Sequence, residues 1–189
     1  IQQLSGYQSD LSEYEITDNS AAIISAGDDV LTNGDISVEV TNVVGASDGA
    51  ILNAFSADIG FDVADDANAI AAEVTGENDG EDLDDARSVV VSGGNVDTSE
   101  AHAIQDIAEY AASASDYDIT DTAAALISAG DEVLNDAGVD IVTASDPSVN
   151  AQIGGALAGF SADVEFDVVD DANAIAAELG ASGFGPGGL

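Results

Sequence analysis

The chain has 189 residues, 38 of them acidic, and a single Lys or Arg, Arg87, for a formal charge of −37. One arginine builds no basic patch, which excludes nucleic acid as a partner and argues against docking on an anionic membrane; no apolar run reaches spanning length, so membrane insertion is not expected. Hydrophobic residues still make up 46% of the chain, more than a disordered acidic segment carries, so a packed core is expected.

Residues 1–12 read as the end of a helix. Ile1, Gln2, Tyr7 and Tyr14 match Ile104, Gln105, Tyr110 and Tyr117 at a constant offset of 103. With no Met in the chain, Ile1 reads as a processed end or the start of a fragment. A strand is then predicted near 14–17, where Tyr14 and Ile16 alternate with polar residues. Further strands are predicted near 36–41, 60–64, 89–92, 117–120, 139–143 and 165–169, with a helix after each. In the best-defined helix, Leu126, Ile127, Gly130, Val133 and Leu134 fall at helical spacing on one face. Asp121 is expected to cap that helix, and Asp18, Asp65 and Asp170 theirs. Alanine fills these helices, favouring them and letting them sit close to a sheet.

The segments are copies of one another. Residues 61–73 and 166–178 differ only at Ala64 against Val169. Residues 14–31 match 117–134 at 13 of 18 positions. We call units that open with aromatic-x-Ile/Val-x-Asp type A, and those that open with ISVEVT (36–41), SVVVSG (88–93) or VDIVT (139–143) type B. They alternate A, B, A, B, A, B, A. The A aromatics, Tyr14, Phe61, Tyr117 and Phe166, are spaced by 47, 56 and 49 residues. The long middle interval holds an acidic insertion at 77–85.

Strand–helix–strand alternation implies parallel pairing, and self-similarity at this period implies stacked units. The expected fold is therefore α/β, an elongated parallel strand–helix repeat solenoid of about seven βα units. The expected division is one array: the end of a helix at 1–12, a repeat at 13–59, a second at 60–115 with the insertion, a third at 116–163, a half repeat at 164–179 and a glycine-rich tail at 180–189.

The segment DTAAALISAG at 121–130, preceded by YDIT, resembles the aromatic-x-Ile-x-Asp-Thr-Ala-Ala units that recur in very large secreted surface proteins of aquatic bacteria. That resemblance implies an acidic, adhesin-like repeat array at the cell surface. The glycine-rich nonapeptide calcium repeats common in type I secretion substrates are missing here; SGGNVD at 92–97 is only a fragment of one.

One catalytic pattern occurs. Gly45-Ala46-Ser47-Asp48-Gly49 fits G-x-S-x-G between a strand and a helix, the setting of a nucleophile elbow. The plainer reading is a turn, since the matching stretch 144–148 lacks the glycines. A triad would need His102, the only histidine, which lies in another repeat and reads as a surface residue. No catalytic or cofactor-binding residue is assigned. The acid pairs Asp28-Asp29, Asp65-Asp66, Asp84-Asp85 and Asp170-Asp171 recur with the repeat and read as helix-capping parts, the first of each pair at 65 and 170 being the cap.

The insertion reads as a solvated charged loop, with calcium the sharper alternative. Glu77, Asp79, Glu81, Asp82, Asp84 and Asp85 supply the oxygens that this ion takes, although their spacing is not that of an EF-hand. With one His and no Cys, zinc and iron sites are not expected.

The reading is then a non-enzymatic extracellular or cell-surface structural protein. Its partner would be itself, stacked head to tail as a homopolymer, with the tail and its Phe184 and Leu189 completing the joint. The alternative is a calcium-dependent adhesin or carbohydrate-binding module that meets cell-surface polysaccharide.

Overall fold

The computed structural model describes residues 13–32, 35–76 and 83–181. The expected helix at 1–12, most of the insertion and the tail from 182 lie outside these residues. The fold is α/β, with every strand pairing parallel to its neighbours. The strands are β1 (Glu13–Asp18), β2 (Asp35–Val40), β3 (Ile59–Gly60), β4 (Asp62–Asp65), β5 (Ser88–Val96), β6 (Asp116–Asp121), β7 (Val139–Ala144) and β8 (Val164–Glu165). They form one sheet ordered β1-β2-β3 and another ordered β4-β5-β6-β7-β8, so within each sheet every strand pairs with the next in sequence.

Eight strands replace the seven expected because the segment 60–64 is divided at Phe61. Its first part, β3, pairs with β2, and its second, β4, pairs with β5. The seam is still bridged. Val44 N–H donates to Asp62 O and Ala64 N–H to Val44 O, both at 2.9 Å, and Arg87 N–H donates to Phe61 O at 2.8 Å. The strand expected at 165–169 also contracts. Only Val164–Glu165 pairs regularly with β7, and Val168 makes a single parallel bridge to Val149.

The helices are α1 (Ser20–Ala26), α2 (Asp28–Leu31), α3 (Ala46–Asn53), α4 (Ala67–Val74), α5 (Thr98–Gln105), α6 (Ala123–Leu134), α7 (Ala151–Leu157) and α8 (Ala172–Ala181). From α3 onward each packs on the next, and α1 packs on α3. Alternation along the strands turns Val38, Val40, Val63, Val89, Val91, Tyr117, Ile119 and Val142 toward the helices, where they meet Ile23, Leu52, Ile70, Ile104, Leu126 and Leu157 in one core. The intervening strand residues, such as Ser37, Ser92 and Glu165, are exposed. Hydrophobic-in, polar-out alternation on parallel strands is unusual, because parallel sheets are normally covered on both faces. Here the period of two survives since helices lie on one face only.

The expected stripe of α6 holds in part. Leu126, Val133 and Leu134 are buried, whereas Ile127 is exposed. The reason is Gly130, at φ 73° and ψ −179°, which breaks the helix. Gly27 does the same between α1 and α2, at φ 75° and ψ 163°. That backbone region is open almost only to glycine.

Glycine is also required at Gly94, where β5 meets α4. It has φ 102°, and a Cβ there would stand 2.9 Å from the amide nitrogen of Ala67. Replacing Gly94 by Ala should therefore lower stability by about 2 kcal/mol or more, from backbone strain and overlap together. Urea unfolding followed by far-UV circular dichroism measures this, and an unchanged midpoint would contradict the reading.

Candidate functional site

The acid pairs are the most repeated polar feature, and their roles are the reverse of those expected. The second member caps the helix. Asp66 accepts from Ala69 N–H at 3.1 Å, and Asp171 from Asn173 and Ala174 N–H at 2.9 and 3.0 Å. Asn19, Thr122 and Asn150 hold the same position in α1, α6 and α7. Asp97 completes a capping box with Glu100 on α5.

The first member instead reaches back to the preceding unit. One oxygen of Asp65 accepts from Asp66 N–H at 2.9 Å; the other accepts from Ala46 N–H, at the start of α3, at 3.0 Å. Asp170 accepts from Ala151 N–H of α7 at 3.1 Å. Asp121 accepts from both the N–H and the hydroxyl of Thr98 on α5, at 3.2 and 2.7 Å. Type B units do this too: Asn42 accepts from Ser20 N–H at 2.9 Å and Asp146 from Ala123 N–H at 2.6 Å. A helix leaves its first N–H groups without internal partners. Here the following unit satisfies one of them, through a carboxylate at Asp65, Asp121, Asp146 and Asp170, where the bond is charge-assisted, and through a neutral amide at Asn42. Gly45 fits this scheme, because a Cβ on it would lie 2.9 Å from the Asp65 carboxylate. At the α4 junction the close approach of Gly94 to Ala67 stands in the same place.

At Asp121, burial pushes the carboxyl pKa up. The bonds from the Thr98 hydroxyl and from the Thr122 and Thr98 amides outweigh that, and the net shift is downward.

A second staple was not anticipated from sequence. Asp28, just after Gly27, accepts from Ser56 N–H at 2.8 Å, and Asp131, just after Gly130, accepts from Ser161 N–H at 2.7 Å. The paired Gly-Asp in both copies was the available signal. A buried network was also missed. Gln105 donates to the Tyr117 hydroxyl at 2.8 Å and to Val133 O at 3.0 Å, and Tyr110 donates to Asp136 at 2.8 Å. Burial raises the pKa of both phenols, and for Tyr110 the neighbouring Tyr117 and Asp136 raise it further. Both phenols therefore stay protonated, Tyr110 donating to Asp136 and Tyr117 accepting from Gln105.

The structure does not bring the catalytic pattern together. Ser47 is exposed on the first turn of α3, and His102 is exposed on α5. Helix α4 packs between those two helices. The ring of His102 stands 3.5 Å from Asp106 on its own helix. It lines an open groove of about 400 Å³ between α5 and α6, together with Thr98, Ser99, Ser128, Glu132 and Val133. Gly49 sits where a Cβ would stand 3.0 Å from both Leu83 and Val63, so the second glycine of the pattern serves packing.

Of the calcium candidates, Glu77, Asp79, Glu81 and Asp82 lie outside the described residues. Asp84 and Asp85 are exposed in the turn 83–85, and Asp85 N–H donates to Asn53 at 2.9 Å. Among the described residues no group of three or more His, Asp or Glu is gathered around a point where a metal could sit.

On the open sheet face several acids stand opposite uncharged residues. Across neighbouring strands, Glu15 stands opposite Ser37 and Thr17 opposite Glu39. Glu39 faces Gly60, Asp62 faces Ser88, and Ser92 faces Asp116. Asn95 faces Asp118 and Thr143 faces Glu165. At these positions acids face uncharged residues, which avoids like charges directly opposite one another; Asp118 and Asp140 both fall within the register shift between β6 and β7. Arg87 sits at the seam between the sheets, 2.6 Å from Glu39 and 2.9 Å from Asp62.

The last unit differs from its internal twin in one respect. Val63 and Val74 are 1% and 5% exposed, whereas Val168 and Leu179 are 41% and 50% exposed. Ile70 is fully buried and Ile175 only partly. The internal copy is covered by β5 and α5; the last copy has no described element beyond it. No family model, no curated protein and no solved structure matches this chain.

Proposed function

We propose that the chain is a non-enzymatic, extracellular structural protein: a solenoid of about seven βα units, standing in a cell-surface or matrix array and joining further copies head to tail. The observation that carries this reading is the exposure of Val168 and Leu179, whose counterparts Val63 and Val74 in the internal twin are buried. The internal pair is covered by the next unit, and the exposed pair supports reading the last unit as a stacking surface. The staples support the same reading, since each fastens one unit to its neighbour and leaves no carboxylate pair poised over a pocket. A heterologous contact of this kind does not close on itself and so propagates a fibre.

Sedimentation and electron microscopy at rising protein concentration in salt test the proposal. Ordered fibres are expected. A Val168→Asp, Leu179→Asp variant should remain folded, because both side chains are at the surface, and should stay monomeric. A wild-type chain that sediments as a monomer at high concentration would overturn the filament reading.

A further inference from the structure

The chain has one histidine, and it stands beside a carboxylate that the repeat does not require. His102 lies in the last turn of α5, and Asp106 is the C-cap of that helix. Residues four apart share a helix face, and His102 Nε2 stands 3.5 Å from Asp106 Oδ2. Counted from the helix caps, the same two positions hold Ala50 and Ala54 at α3, and Gly155 and Gly159 at α7. Both of those units fold with small residues there, so packing does not account for the pair. Helix electrostatics does not account for Asp106, because the C-terminus of a helix disfavours an acid. Nor does a hydrogen bond, since good ones end at about 3.2 Å between nitrogen and oxygen, and a surface ion pair contributes little. The separation suits a shared ion. Nitrogen and oxygen ligands each about 2.1 Å from a tetrahedral zinc ion stand about 3.4 Å apart.

We propose that His102 Nε2 and Asp106 Oδ2 together chelate one divalent transition-metal ion of the zinc or copper class. Imidazole selects such ions over calcium and magnesium, which take oxygen ligands. Two ligands from one helix face are a familiar metal-binding spacing, as when two His at i and i+4 hold zinc. The site is not the closed, four-ligand kind that one His and no Cys exclude. Among the described residues no third His, Asp or Glu joins the pair, so water completes the coordination. Glu100, on the same helix, is committed to Asp97 N–H at 2.9 Å. The open groove between α5 and α6, which His102 lines with Ser99, Ser128 and Glu132, gives that water room. Three effects favour a cation at this point: the Asp106 charge, the negative end of α5, and the field of a chain with charge −37, which concentrates cations around it. Helices α6 and α7 separate the site from α8, so it does not depend on whether copies stack.

A single histidine gives a single pair of imidazole ring signals in proton NMR, so the site can be read directly in the full chain. Zinc chloride is titrated in a large excess of calcium chloride, which occupies the carboxylates that attract any divalent ion. The His102 ring signals should shift and saturate at one equivalent of zinc. Asp106→Asn should weaken the binding by about tenfold or more, at least the cost of losing an outer-shell partner of a metal ligand. Both side chains are more than half exposed, at 60% and 69%, so this variant should fold, and its far-UV circular dichroism should match the wild type. Glu109→Gln removes an exposed acid just beyond the helix and should leave the affinity unchanged. Ring signals that zinc does not move, an affinity equal in Asp106→Asn and wild type, or an equal loss in Glu109→Gln would each overturn the chelate. The last two would reduce the effect to a lone imidazole and to general attraction by acids.

Discussion

Asp121→Ala should lower the melting temperature by about 5–10 °C, more than removal of any helix cap. Asp121 is the staple with the most partners: the amide and hydroxyl of Thr98 on one oxygen and the amide of Thr122 on the other. Removing it strands two part-buried donors at the start of α5, a loss of about 2–3 kcal/mol. For a chain of this length, each kcal/mol corresponds to about 2–4 °C. A cap such as Asp66, which accepts from Ala69 N–H at the start of α4, should cost about 1 kcal/mol. A double-mutant cycle with Thr98→Val isolates the link between units, and a coupling energy near zero would refute the staple. The contribution depends on pH in a defined direction. The folded pKa of Asp121 is lowered, so its stabilisation is complete above the ordinary carboxyl range. It is lost as pH falls through the depressed folded value. The gap between wild type and Asp121→Ala should therefore close below about pH 4.

That carboxylate shows where sequence reasoning stops. The strands were legible because β-branched residues alternate with polar ones at Tyr117, Ile119 and Val142, and a period of two needs no tertiary information. The unit order was legible from identity between copies. The role of each acid in Asp65-Asp66 was not. Both sit at the mouth of a helix, and either could cap it locally. What decides is the position of α3 in the unit before, a distance set by strand spacing across the sheet. The break at Gly130 was hidden for a related reason: apolar residues continue at helical spacing through it, and spacing does not report the sign of φ. Phe61 divides its strand because β2 pairs only up to Gly60 while β5 begins opposite Asp62, a register that no single strand encodes. The proposed stacking face was legible only as an incomplete repeat; the exposure of Val168 and Leu179 is what names residues for it.

Raising sodium chloride from 10 mM to 1 M should produce the largest stability change of any solution variable. The 38 acids are offset by Arg87 alone, leaving −37, and its two ion pairs are on the surface, where such pairs contribute little. Where an acid faces an uncharged residue on the next strand, an acid on the strand beyond is about 9.5 Å away, two strand spacings. The screening length is about 30 Å at 10 mM and about 3 Å at 1 M, which takes that separation from unscreened to fully screened. Stacking should be more sensitive still. If β8 met β1 of another copy directly, acids of both strands, Glu165 and Glu15 among them, would be brought to one joint. Fibres should therefore form only above a threshold salt concentration, while the repeats are already folded below it. Calcium separates screening from binding. At matched ionic strength, a higher melting temperature in calcium than in sodium, abolished by replacing the acids of 77–85 with Asn and Gln, would place an ion in the insertion. Equal melting temperatures would remove calcium and leave screening as the whole effect. A melting temperature that does not respond to sodium at all would contradict the electrostatic account, because nothing else on this surface neutralises the charge.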